Sequence, residues 1–138
     1  ALCYSGFWRE RDGRRRQVSV PPSVTHAELL GGNVIGCLTA IYDSAQLGKV
    51  LMPDLRMRQD YALWLAILRR TPQALGLAEP LAIHRRHRGS LSANALRGAI
   101  ATWRMFRQAE GLGRTRATLC LARHLLNRIG ARIAGART

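Results

Sequence analysis

The sequence predicts an α/β fragment, with α+β character, in which a few strands mix with helices and an all-helical extension follows. Three observations support this prediction: a two-strand pattern at the start, apolar segments divided by Gly and Pro in the middle, and two long helical patterns at the end. The chain has 138 residues, which suffices for one domain, and its 47% hydrophobic content provides for a core.

A β-hairpin is expected to open the chain. Residues 1–8 are apolar and aromatic, and residues 17–20 alternate between polar and apolar side chains, so both segments predict strands. Between them, Asp12-Gly13 is a turn signal typical of hairpins, because this pair accepts the positive φ angles of a tight turn.

Short elements are predicted to follow the hairpin. Thr25 and Glu28 match a capping box, which predicts the start of a short helix. Residues 34–42 are apolar and partly β-branched, and they predict a buried strand. Residues 43–47 then predict a short helical turn that ends at Gly48.

Helices dominate the rest of the chain. Helical patterns cover residues 60–70, 93–109 and about 114–134, while residues 80–86 predict one more strand. The last helical pattern places its apolar residues on one face, with arginines beside or opposite them. This face consists of Leu119, Ala122, Leu125, Leu126, Ile129 and Ile133. Two interpretations stay open: the face packs on the domain, which we favour, or it lies on an anionic membrane.

The charge of the chain is strongly positive. It has 22 Lys and Arg against 8 Asp and Glu, a net charge of +14, and every basic residue except Lys49 is arginine. This excess suits nucleic acid, an anionic membrane surface or a phosphorylated substrate, and it also suits a basic composition spread over solvated faces. A basic nucleic-acid-binding module or a non-catalytic interaction module is the alternative function, although no helix-turn-helix, zinc-finger or RNA-recognition pattern occurs.

Cysteines and aspartates give no metal motif. Cys3, Cys37 and Cys120 are far apart, which favours a reducing compartment and gives no metal-ligand spacing. No two aspartates form a DxD pair, so we expect no metal site within this chain. We also expect no signal peptide and no membrane span, and the absence of an initial methionine suggests a piece of a longer protein.

Two polar groups have both a structural and a functional interpretation. Asp60 precedes an apolar helical pattern, where it serves either as an N-cap or as a general base at the edge of a cleft. The basic run 84–88 ends a predicted strand, where it is either solvated or clamps phosphate. His84 and His87 would point to opposite faces of a strand, so they are not expected to share a metal.

Three blocks in order resemble one family. GNVIGCLTAIYDSAQLGKVLMPDLRMRQDYALWLAILRR (32–70), EPLAIHRRHRGSLSAN (79–94) and ATWRMFRQAEGL (101–112) resemble the C-terminal half of bacterial family 2 glycosyltransferases. These are GT-A enzymes that build lipopolysaccharide, capsule and other surface glycans. The resemblance implies an acceptor-side portion of a GT-A domain over residues 1–92, without its nucleotide-binding half, and a helical extension over residues 93–138.

The resemblance also implies a site. The family's acidic catalytic base falls on Asp60, and the family's Tyr-Arg strand end is His84-Arg85 in this chain. The implied substrate-binding residues are Arg58, Gln59, Gly36, Cys37, His84 and Arg85.

The implied reaction is an inverting sugar transfer from a nucleotide-sugar to a glycan or lipid-linked acceptor. A divalent metal, Mg²⁺ or Mn²⁺, would be held by a DxD motif that lies before Ala1 in the family and is absent from this chain. The chain alone is therefore expected to be inactive and to bind no metal. We further expect a cytoplasmic location with peripheral membrane contact through residues 114–134, self-association through uncovered strand edges, and no nucleic-acid partner.

Overall fold

A computed structural model of the protein describes residues 1–85 and 94–134, the last four of them as backbone only. The described residues form five strands and five helices. The strands are β1 (Leu2–Arg11), β2 (Arg14–Val18), β3 (Ser23–Val24), β4 (Ile41–Tyr42) and β5 (Ala74–Arg85). The helices are α1 (His26–Leu29), α2 (Ser44–Leu47), α3 (Gln59–Leu68), α4 (Ala95–Gln108) and α5 (Arg114–Ala134). The predicted mixture of strands and helices is confirmed.

The sheet is mixed and centres on β1. Its strand order is β2-β1-β5-β3, and β4 also pairs with β1. The pairs β1–β2, β1–β4 and β3–β5 are antiparallel, whereas β1 and β5 run parallel. The β1–β5 register shifts around Gly6, where an added Cβ would lie 2.9 Å from the carbonyl oxygen of Ala78. Only glycine allows the two backbones to approach this closely.

The predicted hairpin is confirmed. Asp12 and Gly13 have φ angles of 50° and 75°, so both central residues of the turn are left-handed, as a two-residue hairpin of this twist requires. Arg11 pairs with Arg14 directly beside the turn. The returning strand therefore begins three residues earlier than the alternation from residue 17 predicts.

Local capping signals are also confirmed. The Thr25 hydroxyl accepts the Glu28 N–H at 3.3 Å, while the Glu28 carboxylate accepts the Thr25 N–H at 2.8 Å. Asp43 caps α2 by accepting the backbone N–H of Ala45 at 2.8 Å, and Gly48 ends that helix with a φ of 70°. These short helices form as predicted because each depends on side chains within a few residues.

The predicted strand over residues 34–42 is wrong. Only its last two residues, in β4, pair with β1, and the segment before them contains a turn in which Thr39 N–H donates to the Gly36 carbonyl at 3.1 Å. The Thr39 hydroxyl donates to the Ser5 carbonyl at 3.0 Å, so a side chain ties this loop to β1. Ile35 is buried, whereas Ile41 is 71% exposed. An apolar run here marks a loop that covers the sheet rather than a strand within it.

Helix α3 is the central element of the core. Seven of its residues are buried, and they surround the helix instead of forming a stripe, which is the pattern of a helix enclosed by the domain. The predicted strand 80–86 starts six residues earlier, at Ala74, and its residue 86 lies outside the described residues. Helix α4 begins after Asn94, whose side chain accepts the Arg97 N–H at 3.0 Å.

Helix α5 packs in the opposite orientation to the one we favoured. Ala117 and His124 are buried against the domain, and Cys120 and Leu121 are partly buried beside them. The predicted apolar face points away from the domain: its exposed residues include Leu119 (65%), Leu126 (68%) and Ile129 (53%). The packing interpretation of that face is therefore wrong, because small and polar residues on the other side of α5 make the contact.

Candidate active site

Asp60 lies at the start of α3, but it does not cap the helix. The N-cap is Arg58, and its backbone is left-handed, with φ 70° and ψ 20° and no side-chain capping bond. Asp60 is the second helical residue, where a negative charge is favoured by the helix dipole without forming a cap. The N-cap interpretation of Asp60 is therefore wrong.

The carboxylate of Asp60 is unengaged. Within the described part of the chain it accepts no hydrogen bond and forms no ion pair, although the residue is half-buried. Its charge acts on two neighbours, Cys37 and Arg58. A carboxylate at the edge of the domain with free lone pairs has the geometry that a general base needs.

The loop before β4 brings the predicted residue Cys37 close enough for the Asp60 charge to act on its thiol, and the predicted residue Gly36 directly precedes it. Burial, together with the Asp60 charge, raises the pKa of the Cys37 thiol, so the thiol stays protonated at neutral pH and is not a nucleophile. At Gly36, an added Cβ would lie 3.2 Å from the Phe7 ring and 3.3 Å from Leu38. A larger residue would push the loop away from the sheet.

The Arg58 side chain points toward α4 and forms its hydrogen bonds there. Its Nε donates to the Thr102 hydroxyl at 3.1 Å, and a terminal nitrogen donates to the Gly98 carbonyl at 3.3 Å. Burial lowers the pKa of Arg58, and the Asp60 charge partly opposes that effect. These bonds hold a non-glycine residue in the left-handed region and so fix the direction in which α3 begins. Gln59, the other predicted neighbour, is exposed.

The predicted pair His84 and Arg85 divides between the two faces of the sheet. The His84 ring meets the Phe7 ring edge-on, with centroids 6.1 Å apart, on the side where Gly36 lies. Arg85 pairs with Glu10 through a 3.2 Å contact, and alternation along β5 places it on the opposite face. Residues 86–88 of the predicted phosphate clamp lie outside the described residues.

The structure adds two residues that sequence reasoning missed. Phe7 lies between His84 and Gly36, and it borders a cavity of about 220 Å³ that Arg9 and Asn33 also line. Thr102 holds Arg58 and passes a hydrogen bond on to the Gly98 carbonyl at 2.8 Å. Neither residue has a local signal, because each acts through a partner far away in the sequence.

Over residues 1–85 and 94–130, no three His, Cys, Asp or Glu side chains are grouped as a metal site would require. Across the described helices, none combines the length and the apolar character needed to cross a bilayer.

Comparisons with known proteins place the chain among glycosyltransferases. It is 36% identical over 116 residues to a Bacillus subtilis (strain 168) protein with the provisional name teichuronic acid biosynthesis glycosyltransferase TuaG, covering 84% of this chain and 46% of the relative. It is 29% identical over 127 residues to the Escherichia coli UDP-Glc:alpha-D-GlcNAc-diphosphoundecaprenol beta-1,3-glucosyltransferase WfaP, covering 91% of this chain and 50% of the relative. No protein-family model and no solved structure matches.

The family resemblance is thereby confirmed. The chain is a homologue of bacterial glycosyltransferases of cell-envelope glycan synthesis, and it spans about half the length of the curated relatives it matches. The mixed sheet with its helices fits part of a GT-A-like domain. The division at residue 92 and the roles of the individual site residues stay predictions.

Proposed function

We propose that the full-length protein is an inverting glycosyltransferase that moves a sugar from a nucleotide-sugar to a cell-envelope glycan acceptor. The homology to two glycosyltransferases supports the class of reaction. The unengaged carboxylate of Asp60 is the single structural observation that carries the assignment of a base, because the neighbouring groups leave it free to accept a proton.

In the proposed step, an acceptor hydroxyl gives its proton to Asp60 while its oxygen attacks the anomeric carbon of the donor. The bond from that carbon to the diphosphate breaks, the nucleoside diphosphate leaves, and the configuration at the carbon inverts. Gly36 lets the loop approach the sheet, and the protonated thiol of Cys37 lies beside Asp60. Arg58 acts as a positioning residue, since its bonds to α4 set the start of α3.

The metal of the proposed enzyme belongs outside this chain. The described side chains do not group as a metal site, so they do not fit Mg²⁺ or Mn²⁺, and no step above is routed through a metal. We propose that a DxD motif elsewhere in the full-length protein holds the ion. The chain by itself is then expected to transfer no sugar.

The acceptor is proposed to be glycan or lipid-linked. WfaP is named for an acceptor on diphosphoundecaprenol, and TuaG for teichuronic acid biosynthesis, and these two names support a lipid-linked or glycan acceptor for the full-length protein. The assay uses the full-length protein with a panel of nucleotide-sugars and a diphosphate-linked lipid acceptor. Release of nucleoside diphosphate together with labelled lipid is the expected result, and turnover without any labelled acceptor would contradict the acceptor assignment.

Peripheral contact with the cytoplasmic face of the membrane is also proposed. The exposed leucines and isoleucine of α5 form an apolar stripe, and Arg116 and Arg123 lie on one side of it while Arg114 lies on the other. Guanidinium groups beside an apolar stripe suit an anionic lipid surface.

Vesicle flotation tests this contact in the full-length protein. Replacing Leu119 and Leu126 together by Ser should lower binding to vesicles containing phosphatidylglycerol about tenfold, because buried apolar area is lost. Ala122→Ser, which lies on the same face and removes little apolar surface, is the matched control. Equal flotation of both variants would show that this face contacts something other than lipid.

A further inference from the structure

A cavity of about 220 Å³ lies between the β1–β2 hairpin and the loop that precedes β4. Phe7 and Val18 are opposite each other in the antiparallel pair, so both project from the same face of the hairpin and form one wall. Val34 and Ile35 form the facing wall, and Gly36 lets the loop approach the Phe7 ring. The cavity is therefore apolar on two sides.

Three polar side chains complete the lining: Arg9, Ser19 and Asn33. The side-chain oxygen of Asn33 accepts the Ile35 N–H at 3.1 Å. Because a backbone N–H can only donate, this bond directs the amide oxygen toward Ile35 and leaves the NH₂ group to donate elsewhere. Among the described residues, neither that NH₂ group nor the Ser19 hydroxyl has a hydrogen-bond partner. Both groups are available to a ligand.

The lining suits a small, neutral ligand that is rich in hydroxyl groups. No carboxylate is among the described residues around the cavity, so it does not suit a cation. Its one charged residue, Arg9, has its guanidinium carbon 5.9 Å from the centre of the Phe7 ring. A sugar ring has apolar C–H faces and polar edges, which apolar walls with a few hydrogen-bonding groups complement. Drug-sized sites have roughly 300–1,000 Å³, so this smaller cavity fits one ring and not a whole nucleotide-sugar.

The cavity adjoins the candidate active site. Gly36 lines it, and the next residue, Cys37, is close enough to Asp60 for the carboxylate charge to act on the thiol. On the other side, the His84 ring meets the Phe7 ring edge-on at 6.1 Å between centroids. A ring in the cavity would thus lie against the loop that also borders the candidate base, which favours a substrate over an unrelated small molecule.

We propose that this cavity binds one neutral hexose ring, with the Asn33 NH₂ group donating to a sugar hydroxyl and with Phe7 and Val18 packing against a C–H face. The assignment of that hexose to a substrate rests on the proposed function, whereas the binding of a hexose does not. The ring belongs either to the nucleotide-sugar or to the acceptor, so the experiment has an arm for each source.

The decisive variant of the full-length protein is Asn33→Asp. It keeps an oxygen that accepts the Ile35 N–H and removes the NH₂ donor. Asn94→Asp is the matched control: Asn94 does not line the cavity, and its side-chain oxygen likewise accepts a backbone N–H, that of Arg97 at 3.0 Å. Both substitutions add the same charge. Ser19→Ala, at an exposed position, is a second test that does not involve the loop.

Free hexoses are the first probes, because a neutral ligand does not respond to the added charge. Glucose, galactose, mannose and N-acetylglucosamine are titrated into the full-length protein and followed by saturation-transfer NMR. Asn33→Asp should weaken binding of the preferred hexose about fivefold and Ser19→Ala about twofold, since each removes a hydrogen bond. Asn94→Asp should leave binding unchanged.

Two further arms identify the source of the ring. If it belongs to the donor, Asn33→Asp should abolish the affinity advantage of the nucleotide-sugar over its free nucleotide in calorimetric titrations. If it belongs to the acceptor, that advantage should stay, and the KM for the acceptor should rise about fivefold. Either result supports the inference.

Constants for Asn33→Asp that equal those of the unaltered protein in all three arms would overturn the inference. Equal weakening by Asn33→Asp and Asn94→Asp would overturn it as well, because the effect would then be independent of the cavity. Hexose binding that depends on Asn33, in a full-length protein that transfers no sugar, would instead contradict the proposed function and leave this inference standing.

Discussion

The two carboxylates of Asp60 and Glu110 occupy contrasting surroundings around α3. The Glu110 side chain is 1% exposed and accepts hydrogen bonds from Arg69 at 2.8 Å and from the His26 ring at 3.0 Å. Glu110 contacts α3 at its C-terminal end through Arg69, whereas Asp60 lies at the N-terminal end of α3. Asp60 is half-buried and has no such partner among the described residues. The comparison shows that one type of group serves two purposes. A carboxylate whose oxygens accept several hydrogen bonds joins elements of the fold, whereas a carboxylate without such partners is available for proton transfer.

The cost of burial explains why Glu110 has so many partners. A charge removed from water is tolerated only where hydrogen bonds and opposite charges replace the lost hydration. Glu110 lies where α4 ends, and its bonds reach α1 through His26 and the end of α3 through Arg69. Arg69 also donates to the Glu110 backbone carbonyl at 3.0 Å. This junction therefore fixes three elements around the core.

The largest expected effect comes from Asp60→Asn in the full-length enzyme. An amide cannot accept the acceptor's proton, so kcat should fall by about 10² to 10⁴ while donor binding changes little. The Tm should shift by no more than about 2 °C, because the carboxylate has no hydrogen-bond or ion-pair partner among the described residues.

Asp54→Asn is the matched control, since this exposed residue precedes the same helix and undergoes the same chemical change. It should retain activity. If Asp60→Asn lowered the Tm substantially and left kcat intact, the carboxylate would be structural and the proposed base would have to be sought elsewhere.

A smaller and opposite effect is expected from Glu110→Gln. It should lower the free energy of unfolding by about 2–3 kcal/mol, because charged hydrogen bonds to Arg69 and His26 are lost within a buried site. The residual activity per folded molecule should stay near that of the unaltered protein. Urea unfolding followed by circular dichroism measures the change.

Glu79→Gln supplies the comparison for that measurement, because Glu79 is exposed on β5. Its free energy of unfolding should change by less than about 0.5 kcal/mol. Equal destabilisation by the two substitutions would mean that net charge, and not the buried junction, accounts for the loss.

The parts of the fold that the sequence predicts well depend on neighbours a few residues apart. The hairpin turn at Asp12-Gly13 and the capping box of Thr25 and Glu28 need no distant partner, so their patterns identify them. The segment 34–42 shows the limit of such patterns. Its apolar content predicts a strand, but packing of the loop on Phe7 decides its path, and no local signal encodes that contact.

The candidate site shows the same limit. Local chemistry favoured an N-cap at Asp60, and the resemblance rather than the pattern identified it as a base. The pattern also located the apolar face of α5 correctly, yet it could not say which side packs, because amphipathicity does not identify the partner. Ala117 and His124 form the packed side, and neither contributes to the apolar stripe.

The smallest expected effect concerns His124, a second buried ionisable side chain. Its ring stacks on Tyr61 with centroids 6.0 Å apart, and its Nδ1 has no hydrogen-bond partner within the described residues. Burial, and then the charges of Arg58 and Arg128, lower the pKa of His124 to about 4. The unfolded chain, with an ordinary histidine pKa near 6.5, binds the proton first as the pH falls.

Stability should therefore be unaffected by His124 above pH 6.5 and should fall between about pH 6.5 and pH 4. Each unit of pKa difference corresponds to about 1.4 kcal/mol. The loss is expected to reach only about 2 kcal/mol, because solvent that reaches the site lowers the cost of charging the ring. Urea unfolding at several pH values measures the free energy of unfolding of the unaltered protein and of His124→Gln. The glutamine stays neutral at every pH, and the variant keeps all carboxylates, so the difference between the two proteins isolates the titration of His124. The two curves should diverge as the pH falls. Parallel curves over this range would show that the buried ring accepts a proton as readily as an exposed one, and the contrast with Glu110 would then rest on geometry alone.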